Sequence, residues 1–167
     1  YFTAKLYTGQ QYYLQIDSHS EFVHNWDEKL IQMYRKAPAK KPVISTYPPD
    51  SKMDWKNSPG FRICDSEFAS EQIEWQIVRL SPSSPYAELP EPSYSPFVAA
   101  GFLFANAMVL NEVPFDPLLP WIFMGEEISM SARLWTSGYD LFAPTTNVLN
   151  HYYVRRHYPK YWESVNR

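Results

Sequence analysis

The run Tyr12-Tyr13-Leu14-Gln15-Ile16-Asp17-Ser18-His19 limits the choice of fold more than any other stretch of the chain. Aromatic and branched residues fill it up to Ile16, which is the composition of a β-strand. Because the apolar run is nearly continuous, it reads as a central strand covered on both faces. It then ends abruptly in Asp-x-His, and polar groups at the end of such a strand stand at a pocket rim. In an extended segment residues two apart point to the same side, so Asp17 and His19 can converge on one ion. A carboxylate oxygen with an imidazole nitrogen suits Mn²⁺ and related divalent ions better than Ca²⁺. A motif this short recurs by chance, so its meaning depends on what else the chain supplies.

The 167 residues suffice for one domain, residues 1–167, with a buried core. A net charge of −3 argues against general attraction to nucleic acid or to an anionic membrane. Only the tail is locally basic, with Arg155, Arg156, Lys160 and Arg167, and a small anion suits it better than a polynucleotide. Aromatic residues make up 17% of the chain, a supply of flat faces for a core or for sugars and bases. The lone Cys64 excludes an internal disulfide framework, fits a reducing compartment and reads as a buried thiol. The most apolar stretch, residues 97–110, is too short to span a bilayer and contains Asn106. No signal peptide is visible, so a cytoplasmic location is expected, or a secretory lumen if an anchor lies upstream.

Residues 1–7 read as helical with Gly9 as the stop, and residues 11–17 as the first strand. A helix is expected from Trp26 to about Lys36, with Asn25 as cap and Glu28 completing a capping box. Residues 42–47 form a short strand closed by Pro48-Pro49, and residues 50–60 a loop. Residues 61–68 and 72–80 are candidate strands. Pro and Ser crowd residues 81–96, which offer no packed element and could serve as an acceptor-side flap. Residues 125–138 give the clearest helix, with Ile128, Ala132 and Trp135 on one face, Met130 and Leu134 alongside, and Gly138 as the stop. Residues 139–143 and 148–154 read as the last strands, and the mixture favours α/β or α+β.

His151 is the next candidate ligand, near the end of a strand-like run and just before Arg155 and Arg156. A histidine there is either a hydrogen-bonded core residue or a metal ligand. The adjacent arginines favour the ligand, because a pyrophosphate needs both a metal and fixed cationic donors. Glu126 and Glu127 open a helix, where the dipole alone would favour acidic residues. Neighbouring carboxylates point in different directions on a helix, so at most one of them would face a pocket and bind substrate hydroxyls. There is no Gly-rich phosphate loop, Cys-x-x-Cys or Gly-x-Ser-x-Gly elbow.

With these residues in place, the chain resembles the metal-dependent GlcNAc-transferases typified by the enzyme that glycosylates hydroxyproline on a ubiquitin-ligase adaptor. It is more distantly similar to the polypeptide GalNAc-transferases. The matching stretches are Tyr-Tyr-Leu-Gln-Ile-Asp-Ser-His, Trp26-Asp27, Ser-Thr-Tyr-Pro-Pro at 45–49, Ala-Gly-Phe-Leu-Phe at 100–104 and Phe-Asp-Pro at 115–117. Gly-Glu-Glu-Ile-Ser-Met-Ser-Ala-Arg-Leu-Trp-Thr-Ser-Gly-Tyr-Asp-Leu-Phe-Ala-Pro and the segment 151–155 complete them, in the expected order over most of the chain.

The resemblance implies an α/β fold of GT-A type, a retaining mechanism, UDP-GlcNAc as donor and a protein or peptide hydroxyl, hydroxyproline or Ser/Thr, as acceptor. It implies Asp17, His19 and His151 as ligands of a Mn²⁺-like ion on the UDP diphosphate, assisted by Arg155 or Arg156. Glu126 takes the place of the catalytic-site carboxylate that holds the donor sugar, with Glu127 beside it and Gly101 as a backbone position near that sugar. Phe123 and Met124 depart from the Trp and second Gly of the distant relatives. Such folds also begin with a nucleotide-binding β-α-β segment ahead of the Asp-x-His strand, so the uracil and ribose contacts are expected outside this sequence. Two rival expectations follow: a truncated transferase domain acting as a non-catalytic binding module, and a metal-dependent hydrolase using Asp17 and Glu126.

Overall fold

The computed structural model describes residues 3–57, 60–68, 78–81, 85–86, 89–119, 122 and 125–154. A 3₁₀ turn at Thr3–Leu6 precedes β1 (Tyr12–Ile16), β2 (Ser20–Phe22), helix α1 (Trp26–Lys36) and β3 (Pro42–Ser45). Five short strands follow: β4 (Gly60–Phe61), β5 (Asp65–Phe68), β6 (Val78–Ser81), β7 (Pro85–Tyr86) and β8 (Ser93–Tyr94). The remainder is β9 (Phe102–Asn106), α2 (Val109–Glu112), α3 (Glu126–Thr136), β10 (Asp140–Ala143) and β11 (Leu149–His151).

A mixed sheet of five strands, in the order β1-β9-β3-β10-β8, forms the frame. Only β3 and β10 run parallel; the other neighbours are antiparallel. Side chains alternate between the two sheet faces, and each face has its own core. On one, Ile44, Phe102, Phe104 and Phe142 pack with Leu30 and Met33 of α1. On the other, Val43, Leu103, Ala105 and Leu141 pack with Val109 and Leu110 of α2 and Leu134 of α3. Both faces are therefore apolar, which is why these strands read as nearly unbroken hydrophobic runs. Burial of each large side chain among them is worth about 1.5–3 kcal/mol.

Several expectations change. Strand β1 is the outermost strand of the sheet among the described residues, not a central one. Its run is apolar because Tyr12 and Leu14 pack on one core and Tyr13 on the other. Helix α1 has the expected bounds, but Asn25 is left-handed (φ 55°) and makes no side-chain cap, so the capping box is not formed. The Pro/Ser-rich stretch supplies β7 and β8, and β8 closes the main sheet through Tyr94↔Phe142. In α3 the buried side chains are Ser131 and Leu134, whereas Trp135 is 63% exposed. Gly138, at φ 81°, ends that helix as expected, in a conformation that costs a residue with a β-carbon more. Cys64 is exposed rather than buried. Of the candidate strand 72–80, residues 72–77 lie outside the described ones. No helix among the described residues is long and apolar enough to cross a membrane.

Candidate active site

The end of β1 is where the sequence placed its ligands, and the sheet register explains what lies beside it. Pairing of Ile16 with Phe102 brings Asp17 level with Gly101, the residue just before β9. The Asp17 N–H donates to the Gly101 carbonyl at 3.2 Å. A β-carbon on Gly101 would stand 2.9 Å from Asp17 Oδ2, so only glycine leaves that carboxylate its place.

His151 reaches the same point from another direction. It ends β11, paired with Ser20 of β2, and its N–H donates to the Pro49 carbonyl at 3.0 Å. The side chain is buried, and its Nε2 lies 3.9 Å from Asp17 Oδ2. The Tyr153 ring stands edge-on to the imidazole at 4.4 Å between centroids. The Tyr153 hydroxyl donates to the Pro48 carbonyl at 2.7 Å.

The backbone at His19 departs from the extended path expected of it. The strand stops at Ile16, and the chain turns so that Ser20 Oγ donates to the Asp17 carbonyl at 3.0 Å. His19 itself is left-handed at φ 66°, so strand alternation does not bring it to the Asp17 side. Its backbone stays close: Tyr152 N–H donates to the His19 carbonyl at 3.1 Å. Among the described residues no group of three His, Cys, Asp or Glu side chains could hold a metal ion. Asp17 and His151 are a pair, and their chemistry fits one: ligands bonded to one ion at about 2.1 Å each can lie up to roughly 4.2 Å apart.

A cavity of about 260 Å³ opens beside this pair, lined in part by Asp17, Tyr47, Gly101, Glu126, Glu127 and Tyr153. Its far wall is the first turn of α3. The two glutamates there are engaged differently. Glu127 accepts the Tyr47 hydroxyl on one oxygen and the Ala100 N–H, at 2.8 Å, on the other. Glu126 Oε2 is buried with no hydrogen-bond partner among the described residues. Burial pushes the Glu126 carboxyl above the usual carboxylate range; its own backbone N–H offsets part of this, and the Glu127 charge adds to it. Burial also raises Glu127, against the opposing hydrogen bonds from Tyr47 and Ala100. Tyr47 is raised by burial and by its bond to Glu127, so its hydroxyl keeps its proton at neutral pH.

A family model described as glycosyltransferase (GlcNAc) matches residues 1–167. The chain belongs to the GlcNAc glycosyltransferase family. Membership brings with it a sugar donor and an acceptor, and the mixed α/β sheet is compatible with a domain of that kind. A comparison with curated proteins finds no match.

For this glycosyltransferase the structure brings Asp17, Gly101, Glu126 and Glu127 to one cavity, with His151 behind Asp17. The His19 carbonyl accepts the N–H of Tyr152, next to His151, and Arg155 and Arg156 lie outside the described residues. The sequence reading assigned no role to Tyr47, Arg79 or Tyr153, all of which line the cavity. Arg79 also pairs with Glu67 at 2.7 Å, an exposed contact of little energetic weight. Tyr47 stands in the Ser-Thr-Tyr-Pro-Pro stretch, which in the sequence read as the end of a short strand.

Proposed function

We propose that the chain transfers GlcNAc from UDP-GlcNAc to a hydroxyl of a protein acceptor, hydroxyproline or Ser/Thr, with retention at the sugar. The observation that carries this reading is one cavity with the Asp17–His151 pair at one side and, at the other, a buried Glu126 oxygen that has no partner among the described residues. Family membership supplies the sugar-transfer chemistry to which those groups are fitted. A GT-A arrangement is the reading that the helix-flanked sheet supports.

Such a transfer breaks the bond from sugar C1 to the diphosphate, which leaves with the electron pair. The acceptor oxygen takes its place, and its proton passes to the departing diphosphate. Asp17 and His151 are the residues suited to hold a Mn²⁺-like ion, with His19 as the third ligand. When bound, the ion neutralises charge on the departing diphosphate as a Lewis acid. Arg155 and Arg156 are assigned as cationic partners of the same diphosphate.

Glu126 holds the donor sugar. A buried carboxylate oxygen without a donor is costly, and sugar hydroxyls are donors that would satisfy it. Gly101 leaves room for the Asp17 carboxylate beside that sugar.

The test is transfer from UDP-GlcNAc to peptides containing hydroxyproline or Ser/Thr, with and without Mn²⁺. Mn²⁺-dependent release of UDP is expected, reduced by roughly 100-fold or more in His19→Ala, the scale of losing a group that stabilises transition-state charge. Unchanged turnover in His19→Ala removes it from the ligand set. Absence of both turnover and Mn²⁺-dependent UDP binding favours a non-catalytic binding module instead.

A further inference from the structure

Hydrogen bonds from several elements fix the turn that leads into β9, among them four at Ala99, Ala100 and Gly101. The Ala99 N–H is held by Ser45 Oγ at 2.7 Å, and the Ala100 N–H by Glu127 at 2.8 Å. The Ala100 carbonyl accepts Gln15 Nε2 at 2.8 Å, and the Gly101 carbonyl accepts the Asp17 N–H at 3.2 Å. Ser45 comes from β3 and Gln15 from β1, while Asp17 directly follows β1, so three of the anchors belong to the sheet. Glu127 is the exception, since it reaches the turn from α3, next to Glu126.

Helix α3 is itself pinned at the same turn. Ser131 Oγ donates to the Glu127 carbonyl at 2.7 Å and accepts the Val98 N–H at 3.0 Å. Tyr47, two residues past the end of β3, ties the other Glu127 oxygen to the segment that leaves the sheet. The Glu127 side chain thus bridges the two halves of the cavity: the helix that carries Glu126, and the Ala100 N–H, one residue before the Gly101 that lies against the Asp17 carboxylate.

We infer that Glu127 is a positioning residue, which with Tyr47 holds the Ala99–Ala100 peptide at its N–H and, through the adjoining Gly101, the Asp17 carboxylate. The inference rests on the reading of Asp17 as a metal ligand. It assigns Glu127 to the protein rather than to the donor, since each of its oxygens accepts a protein donor. A positioning role leaves substrate contact to Glu126 and makes the metal side of the cavity sensitive to a residue on the sugar side.

The experiment compares wild type with Glu127→Ala, Glu127→Gln and Tyr47→Phe, all as the full chain. Three quantities are measured: exchange of the Ala100 amide hydrogen in metal-free protein, Mn²⁺ affinity by calorimetry, and KM for UDP-GlcNAc. In Glu127→Ala, Ala100 exchange and the Mn²⁺ Kd should each rise about tenfold, the scale of one lost charge-assisted hydrogen bond. Glu127→Gln should stay within about threefold of wild type, because its amide oxygen still accepts the Ala100 N–H. Tyr47→Phe should raise the Mn²⁺ Kd by roughly threefold, since it frees only one side of the bridge.

Folded Glu127→Ala with wild-type exchange and wild-type Mn²⁺ affinity overturns the inference. So does a raised KM for UDP-GlcNAc, equal in the Ala and Gln variants, with Mn²⁺ affinity unchanged, because that pattern marks a substrate contact. If Glu127→Ala does not fold, an unchanged Mn²⁺ Kd in Tyr47→Phe overturns it. Wild-type protein that takes up no Mn²⁺ contradicts the metal reading instead; Ala100 exchange then still decides whether Glu127 holds the turn.

Discussion

Gly101 and Asp17 fit against one another so closely that a β-carbon on the glycine would lie 2.9 Å from Asp17 Oδ2 and 3.3 Å from its carboxyl carbon. The crowded group is the end of a side chain 58% exposed, which can swing aside at small cost to the fold. Gly101→Ala should therefore keep its Tm within roughly 2 °C of wild type while weakening Mn²⁺ binding about tenfold or more. Thermal unfolding and a Mn²⁺ titration on the same sample check both halves.

Asp17 and His151 should separate function from stability. Asp17 is largely exposed and its backbone bond to Gly101 survives truncation, so Asp17→Ala should unfold within about 2 °C of wild type. His151 is buried between β2 and the segment around Pro49, so His151→Ala should cost about 2–3 kcal/mol, a fall of roughly 5–10 °C in Tm. Both substitutions should abolish Mn²⁺-dependent turnover. Calorimetric unfolding beside a UDP-release assay tells the two apart.

Glu126 carries a pH signature. Its carboxyl is raised, chiefly by burial, so the folded chain binds that proton more tightly than the unfolded chain does. The stability this contributes is present below the ordinary glutamate pKa and is lost as pH rises through the raised value. Near neutral pH the buried charge therefore works against the fold. Glu126→Gln should raise Tm by roughly 1–3 °C near pH 7, with the gain vanishing toward about pH 4. The same variant should lose at least about tenfold in transfer, from the missing charged acceptor. A pH series of melting curves showing the opposite trend would count against the burial of this group.

Helix α3 offers a packing test. Leu134 is fully buried against Val43 and Leu141, whereas the neighbouring Trp135 is 63% exposed. Leu134→Ala should cost about 2–4 kcal/mol, and Trp135→Ala less than about 0.5 kcal/mol. Chemical denaturation of the two variants measures the difference directly.

The frame was legible in the sequence wherever burial imposes a pattern. Strands β1, β3 and β10 read as apolar runs because cores cover both faces of the sheet, β9 lies within the stretch 97–110, which reads only as apolar, and α3 read from its periodicity and Gly138. A strand apolar on both faces looks the same at the edge of a sheet as at its centre, so the place of β1 was not legible. Nor was Asn25, because a cap-forming side chain does not fix the backbone angle that uses it.

The site was legible as residue types but not as geometry. Asp17 and His151 could be named from their chemistry and Glu126 from the resemblance; register brings Asp17 beside Gly101 and His151 beside Ser20, and Glu126 lines the same cavity from α3. The left-handed turn at His19 escaped because no local residue preference demands it. The bridge from Glu127 to Tyr47 and Ala100 joins residues 80 and 27 positions apart, a separation at which no spacing motif exists.

The central claim is that Asp17 and His151 receive a divalent ion together with the diphosphate of a sugar donor. Titration of UDP into the purified chain by calorimetry, with and without Mn²⁺, tests it most directly. The account predicts binding of UDP that requires Mn²⁺ and disappears in Asp17→Ala, although that variant remains folded. UDP binding of equal strength without Mn²⁺, or undiminished in Asp17→Ala, would contradict it.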